Sequence, residues 1–187
     1  HTLGLSHDGK TDGTTYYSGH ANWAPIMGVA YSKEVSQWSK GEYANANQTQ
    51  DDLAVMLSYG AVYRADDHGD TIASATPIIG ANLQAWGIIE QRTDVDYFSF
   101  ESGAGPMSLT VNNAPRGPNL DIKVSLYTAS GTLLASADDS GLDATLNYTL
   151  PAQGTYYIAV NGVGTGDPTT GYSDYSSLGQ YTITGTV

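Results

Sequence analysis

The sequence predicts a mainly β fold, an antiparallel β-sandwich that follows a shorter region of helix and loop. Two observations support this prediction. After about residue 65, apolar side chains alternate with polar ones, which is the period of a half-buried strand. Before that point the sequence has instead one apolar stripe at helical spacing, formed by Leu53, Met56 and Leu57.

The helical stripe lies close to the end of the first region. Thr49 is a candidate N-cap, and Asp51 and Asp52 place negative charge in the first turn, where the helix dipole favours it. The pair Tyr59-Gly60 predicts the end of the helix, because glycine tolerates the left-handed conformation found at helix ends.

A polar segment broken by glycine follows this helix, from residue 64 to residue 71. Such composition is typical of a linker. We therefore expect residues 1–65 and residues 66–187 to form separate domains. Since the first domain lacks a sheet of its own, we expect parts of residues 1–48 to be mobile or to lean on the second domain.

Six alternating runs predict the strands of the second domain. Glycine-containing turns separate them, as in sandwiches built from short antiparallel strands. The runs cover residues 97–100, 107–111, 120–126, 146–150, 156–160 and 181–183. The turns include Ser130-Gly131, Ser140-Gly141, Gln153-Gly154 and Asn161-Gly162.

Composition restricts the classes of function. The 187 residues include no cysteine and carry a net charge of −12, of which −10 falls on residues 66–187. Such a surface repels nucleic acid and suits a secreted protein or a binder of hard cations. No apolar run approaches the roughly 18–20 residues of a membrane span.

The first eight residues, His1-Thr2-Leu3-Gly4-Leu5-Ser6-His7-Asp8, carry the strongest chemical signal. They resemble the last two-thirds of HExxHxxGxxHD, the zinc signature of metzincin metallopeptidases. The resemblance implies that His1 and His7 are the second and third zinc ligands, and that Gly4 lets the chain turn between them. The first histidine and the catalytic glutamate are not in this sequence, so we expect the chain alone to be inactive. The competing interpretation is that both histidines merely flank a loop.

A second segment, Pro25-Ile26-Met27-Gly28, resembles the Met-turn of metzincins. This implies that Met27 forms an apolar floor beneath the histidines; ordinary core filling is the alternative. Residues 16–24 and 35–43 also look like bacterial secreted reprolysin-like peptidases. His20, within the first of these segments, is expected to be a surface or pocket-lining residue.

These resemblances imply that the parent protein is a secreted bacterial zinc metallopeptidase that cleaves peptide bonds of protein or peptide substrates. The present chain is then its C-terminal portion, and the missing N-terminal catalytic portion is a candidate partner. Zinc would activate the attacking water. No GxSxG sequence is present, and nothing in the sequence places a serine beside a histidine.

Residues 66–187 resemble the bacterial pre-peptidase C-terminal (PPC) domain, a jelly-roll-like β-sandwich attached to many secreted peptidases. The resemblance rests on the order of several segments. They are residues 66–76, 93–100, 117–121, 154–158 and 171–181.

Acidic residues at two places in this domain predict a calcium site. Asp66, Asp67 and Asp70 lie in the linker, and Asp94 and Asp96 lie just before an aromatic strand. The candidate calcium ligands are Asp67, Asp70, Asp94 and Asp96. Alternate residues of a strand point the same way, so Asp94 and Asp96 would repel each other without a cation, and calcium takes six to eight oxygen ligands. Related collagen-binding sandwiches hold calcium at a comparable place. Alternatively, these acids cap turns and face water.

A different class of function stays open. The second domain, with or without calcium, is also compatible with a non-catalytic module that binds a matrix polymer or assists secretion and maturation. Tyr172, Tyr175 and Tyr181 would form an aromatic strip on such a module, although core packing is the simpler interpretation. The segment 117–121 is expected to be architectural, with Asp121 bonding local backbone amides.

Overall fold

The computed structural model describes residues 1–187, and its fold is mainly β. One α-helix, α1, covers Asp52–Ser58. The strands in chain order are β1 (Trp23–Pro25), β2 (Val35–Gln37), β3 (Thr76–Pro77), β4 (Asn82–Ile89), β5 (Asp96–Ser102), β6 (Gly105–Asn113), β7 (Ile122–Thr128), β8 (Leu133–Ala137), β9 (Ala144–Leu150), β10 (Gly154–Gly162) and β11 (Gly179–Thr186).

Nine of these strands form two sheets, in the orders β3-β5-β10-β7-β8 and β4-β11-β6-β9. All neighbours are antiparallel except the short pair β3 and β5. We call residues 66–187 the two-sheet domain. Its register places Ile158 of β10 between Phe98 of β5 and Leu126 of β7.

The inward faces of both sheets share one core of 20 buried residues. Phe98 and Ile158 come from one sheet, and Leu83 and Ile183 from the other, and each is at most 1% exposed. Burying such side chains contributes about 1.5–3 kcal/mol each, which makes this core the main source of stability.

Every run predicted from alternation overlaps a strand, but the strands β4 and β8 were not predicted. The inward positions of β4 are Leu83, Ala85, Gly87 and Ile89, while Trp86 points outward and is 64% exposed. Because two inward residues, Ala85 and Gly87, are small and the outward Trp86 is large and apolar, the sequence of β4 does not show an alternation of apolar and polar side chains. In β8 no residue is buried, so its sequence carries little signal.

The first region consists mostly of turns, with β1 and β2 paired in parallel. The N-cap of α1 is Asp51, whose carboxylate accepts from the Ala54 N–H at 2.9 Å, and not Thr49 as predicted. The helix ends at Ser58 with Tyr59 as its C-cap, at the predicted place. No helix is long and apolar enough to cross a membrane.

Two smaller cores join the first region to the two-sheet domain. One combines Tyr17, Trp23, Val35 and Tyr43 with Leu142 and Tyr172; the other combines Leu5, Leu53 and Met56 with Tyr175. Each core thus contains residues from both sides of the predicted boundary at residue 65. The first region leans on the two-sheet domain along the loop that precedes β11.

Candidate metal sites

The imidazoles of His1 and His7 face each other. Their Nε2 atoms are 2.7 Å apart, and the ring centroids are 4.5 Å apart. The other nitrogen of His1, Nδ1, lies 2.7 Å from the carbonyl oxygen of Leu5. Because a carbonyl only accepts, Nδ1 carries the proton and His1 presents its Nε2 lone pair toward His7. This backbone bond is the kind of second contact that orients a metal-binding histidine.

A tight turn brings the two histidines together. The Gly4 N–H donates to the His1 carbonyl at 2.9 Å, and Gly4 has a left-handed φ of +79°. A Cβ at this position would lie 2.4 Å from Cε2 of the Tyr59 ring. Both the conformation and the close ring explain why glycine occupies the turn.

Asp8, the residue that follows His7, lies beside Met27. The Asp8 N–H donates to the Met27 carbonyl at 3.0 Å, which ties the predicted Met-turn to the histidine segment. The Met27 side chain packs against the core around Leu5. Asp8 is fully buried, burial raises the pKa of its carboxyl, and Gln48 Nε2 donates to Oδ1 at 2.6 Å.

His20 forms hydrogen bonds elsewhere and does not join the His1–His7 pair. Its Nδ1 lies 2.9 Å from the Tyr17 hydroxyl, and its Nε2 lies 2.6 Å from the Gly171 carbonyl oxygen. Both nitrogens are therefore occupied. His20 pins the first region to the two-sheet domain.

A second candidate site is an acidic cluster between the linker and the start of β5. Carboxylate oxygens of Asp66, Glu90 and Asp94 lie within 4.8 Å of one another, and so do those of Asp66, Asp67 and Asp96. We call these five residues the acidic cluster. Asp66 belongs to both groups, so the groups adjoin.

Three members of the cluster are buried and incompletely bonded. Glu90, Asp94 and Asp96 are at most 7% exposed, and each has one carboxylate oxygen without a hydrogen-bond partner. Burial, together with neighbouring carboxylates, raises the pKa of all three carboxyls, and that of Asp96 to about 7. Unpartnered buried oxygens of like charge are costly, and a hard cation is the ligand that removes this cost.

The observed cluster differs in part from the predicted calcium ligands. Asp67, Asp94 and Asp96 belong to it, whereas Asp70 lies outside both groups and accepts from the Val95 N–H at 3.3 Å. Glu90 was missed, because it follows β4, the strand that alternation did not reveal.

The tyrosines considered for an exposed strip are buried instead. Tyr172, Tyr175 and Tyr181 are at most 7% exposed. Each hydroxyl donates to a carboxylate, that of Asp121 at 3.0 Å, Asp51 at 2.7 Å and Asp96 at 2.5 Å, respectively. The packing interpretation therefore holds.

The segment 117–121 is architectural, although not through local backbone bonds of Asp121. The Asp121 carboxylate accepts from Tyr172, and Asn119 Oδ1 accepts from the Ser36 N–H at 2.9 Å. Both contacts are long-range. They hold the first region and the loop before β11 in place.

An open apolar cavity of about 350 Å³ also lies where the first region meets the two-sheet domain. Met56, Leu57 and Ile88 contribute to its walls, and its charged lining residues are Arg64 and Glu90. Glu90 belongs to the acidic cluster as well, so the cavity borders that cluster.

Residues 94–162 match the family model of the bacterial pre-peptidase C-terminal domain. This confirms the predicted resemblance over the segment from Asp94 through β10.

A curated relative is a probable subtilase-type serine protease of Deinococcus radiodurans. It is 38% identical over 96 residues, which are 49% of this chain and 13% of that protein. The chain thus spans only a small part of that relative.

Two solved structures are loosely similar. One is the pre-peptidase C-terminal domain of a collagenase from Bacillus anthracis, with 18% identity, a TM-score of 0.45, and coverage of 60% of this chain and 94% of that one. The other is PliG from Aeromonas hydrophila, a periplasmic inhibitor of g-type lysozyme, with 12% identity, a TM-score of 0.39 and the same coverage.

Proposed function

We propose that this chain is the C-terminal portion of a secreted zinc metallopeptidase, with a calcium-binding PPC-type β-sandwich as its accessory domain. The observation that carries the zinc assignment is the convergence of the His1 and His7 Nε2 atoms at 2.7 Å. The Gly4 turn adds support, because the metzincin resemblance implies it. The bond from the Asp8 N–H to the Met27 carbonyl adds support because it brings the predicted Met-turn segment next to the histidine segment.

The residues present fit a zinc ion in part. His1 and His7 place two imidazole nitrogens within hydrogen-bond distance of each other, and an ion held by both would replace that hydrogen bond. The Leu5 carbonyl fixes the tautomer of His1. Zinc bound in the parent enzyme would lower the pKa of its water toward neutrality. His1 and His7 would hold the ion, while the general base and another ligand would come from outside these 187 residues.

The serine protease relative bears on the accessory domain and not on the catalytic type. The similarity covers 13% of that protein, so its catalytic chemistry is not carried to this chain. Within this chain, both nitrogens of His20 and both nitrogens of His68 are occupied, and none contacts a serine.

Titration of the chain with zinc chloride tests the proposal, with the imidazole nitrogens followed by long-range ¹H–¹⁵N NMR. We expect the Nε2 resonances of His1 and His7 to move and those of His20 and His68 to stay. The double variant His1→Ala/His7→Ala should lose the response, while His20→Ala keeps it. Zinc binding that survives the double variant would refute the assignment. The chain alone should not hydrolyse casein.

The second candidate function is a non-catalytic, calcium-dependent module that binds a matrix or assists maturation. The acidic cluster favours this alternative, because its buried oxygens suit calcium regardless of the histidines. The sequence upstream of His1 in the genome separates the two candidates. An HExx tetrapeptide there supports the peptidase, and its absence supports the module.

A further inference from the structure

The segment between the two histidines is held from outside by one side chain, that of Gln50. Its Nε2 donates to the Gly4 carbonyl at 3.1 Å, and its Oε1 accepts from the Ser6 N–H at 2.8 Å. The residue between these contacts is Leu5, which is 5% exposed and whose carbonyl accepts from His1 Nδ1. Gln50 therefore bonds the peptide group that contains the Leu5 carbonyl, through the Ser6 N–H, and the preceding peptide group, through the Gly4 carbonyl.

Gln50 is itself anchored by the two-sheet domain. The next residue, Asp51, caps α1 and accepts from the Tyr175 hydroxyl at 2.7 Å. The same hydroxyl accepts from the Leu53 N–H at 2.9 Å. Tyr175 thus bonds both ends of the short segment that leads from Gln50 into the helix, and it belongs to the same buried cluster as Leu5.

Tyr175 is in turn held in a fixed place. It lies in a 3-10 turn, Asp174–Ser176, and the Asp174 carboxylate pairs with Arg92 at 2.8 Å. Arg92 belongs to the loop between Glu90 and Asp94, which carries part of the acidic cluster. A continuous set of contacts therefore runs from that loop through Tyr175 and Gln50 to the histidines.

We propose that Gln50 is a positioning residue for the His1–His7 pair and that Tyr175 keeps Gln50 in place. The inference rests on the proposed zinc function and deepens it. Neither side chain hydrogen-bonds to the Nε2 atoms of His1 and His7, the proposed zinc ligands. Through them, the two-sheet domain becomes a structural part of the metal site and is more than an appended module.

The test uses Gln50→Ala and Tyr175→Phe in the full chain, titrated with zinc chloride at about pH 7.5. Loss of an outer contact typically weakens metal affinity by about 10–100-fold, and we expect at least about 10-fold for Gln50→Ala. Gln50→Glu keeps an acceptor for the Ser6 N–H but loses the donor to Gly4, so its affinity should lie in between. Gln84→Ala, on an exposed position of β4, is the matched control.

Tyr175→Phe removes the hydroxyl and keeps the ring, and we expect it to weaken zinc binding in the same direction. Its matched control is Tyr156→Phe, which removes a hydroxyl bonded to the Ala152 carbonyl at 2.7 Å, far along the chain from α1. A merely structural role would lower the melting temperature without changing zinc affinity in the folded protein. The melting curve of each variant therefore accompanies its titration.

Metal-free NMR spectra separate failure of this inference from failure of the zinc assignment. Gln50→Ala should shift the His1 and His7 imidazole resonances before any zinc is added. Unchanged resonances, or zinc affinity equal to that of the parent chain, would overturn the positioning role. If zinc leaves the parent resonances unmoved while Gln50→Ala shifts them, the zinc assignment is wrong and the positioning of the pair stands.

Discussion

Replacing Asp96 by asparagine removes one buried charge from the acidic cluster without changing the size of the side chain. Asp96 is fully buried, its Oδ2 accepts from Tyr181, and its Oδ1 has no partner. Burial raises the pKa of its carboxyl from 3.8 to about 7. In the metal-free protein, this carboxyl therefore takes up a proton on folding at pH values between about 4 and 7.

The sign and size of the effect follow from this shift. The folded state disfavours the ionised form of a carboxyl whose pKa is raised. The contribution of Asp96 to stability is therefore highest below about pH 4 and is lost as the pH rises to about 7. The shift of Asp96 corresponds to about 4 kcal/mol at most. Water entry and local movement screen buried charges, so we expect roughly 2 kcal/mol, or about 4–8 °C in melting temperature.

Calcium should reverse this trend, because the ionised carboxylates become its ligands. A free calcium concentration of about 100 times Kd adds about 2.7 kcal/mol. Melting curves in EDTA and in calcium, at pH 5 and pH 8, measure both effects. We expect the parent chain in EDTA to melt at a lower temperature at pH 8, and calcium to restore it.

Asp96→Asn should weaken the pH dependence in EDTA, because Glu90 and Asp94 still titrate with raised pKa values, and it should abolish most of the calcium response. Asp121→Asn is the control, since burial raises the pKa of Asp121 to about 6 but Asp121 lies outside the cluster. It should reduce the pH dependence and leave the calcium response intact. A parent chain that gains stability from pH 5 to pH 8 in EDTA, or Asp96→Asn with an undiminished calcium shift, would refute the reasoning.

Three further substitutions test other contacts. Gly4→Ala should lower the free energy of unfolding, measured in urea, by about 1–2 kcal/mol because of the left-handed φ, and further because the new Cβ displaces the Tyr59 ring. Gly13→Ala is the control: Gly13 has a φ of +97° and open space around it, so this variant should show the backbone penalty alone. His20→Ala should lower stability by about 1–2 kcal/mol without changing zinc affinity, as calorimetric titration would show. Tyr172→Phe removes the donor to buried Asp121 and should cost about 1–3 kcal/mol in the same urea assay; no loss would mean that water replaces the hydroxyl.

Local patterns in the sequence were sufficient to predict a strand where one of its faces is buried and the other is exposed to solvent. Residues 107–111 and 181–183 alternate cleanly, and both lie in central strands. Local patterns did not reveal β4. There Gly87 faces the Tyr181 ring and Asp96, which leave no room for a larger inward side chain. The missed strand also concealed Glu90, because an isolated glutamate carries no signal until its strand is placed.

The helix start shows a similar limit. Thr49 and Asp51 are both good caps by residue type, and the sequence does not rank them. In the structure the N-cap is Asp51, whose carboxylate is also bonded by the Tyr175 hydroxyl, 124 residues further along the chain.

The amino-acid sequence by itself determined the mainly β class, most strands, the acidic balance of residues 66–187, and the spacing of His1, Gly4 and His7. These features depend on residues close together in the chain, where periodicity and backbone preference act directly. Only the tertiary structure decided that Asp66, Glu90 and Asp96 share one cluster, and that Tyr175 holds α1. Such contacts join distant segments, and they are set by how whole sheets pack, for which no local pattern exists.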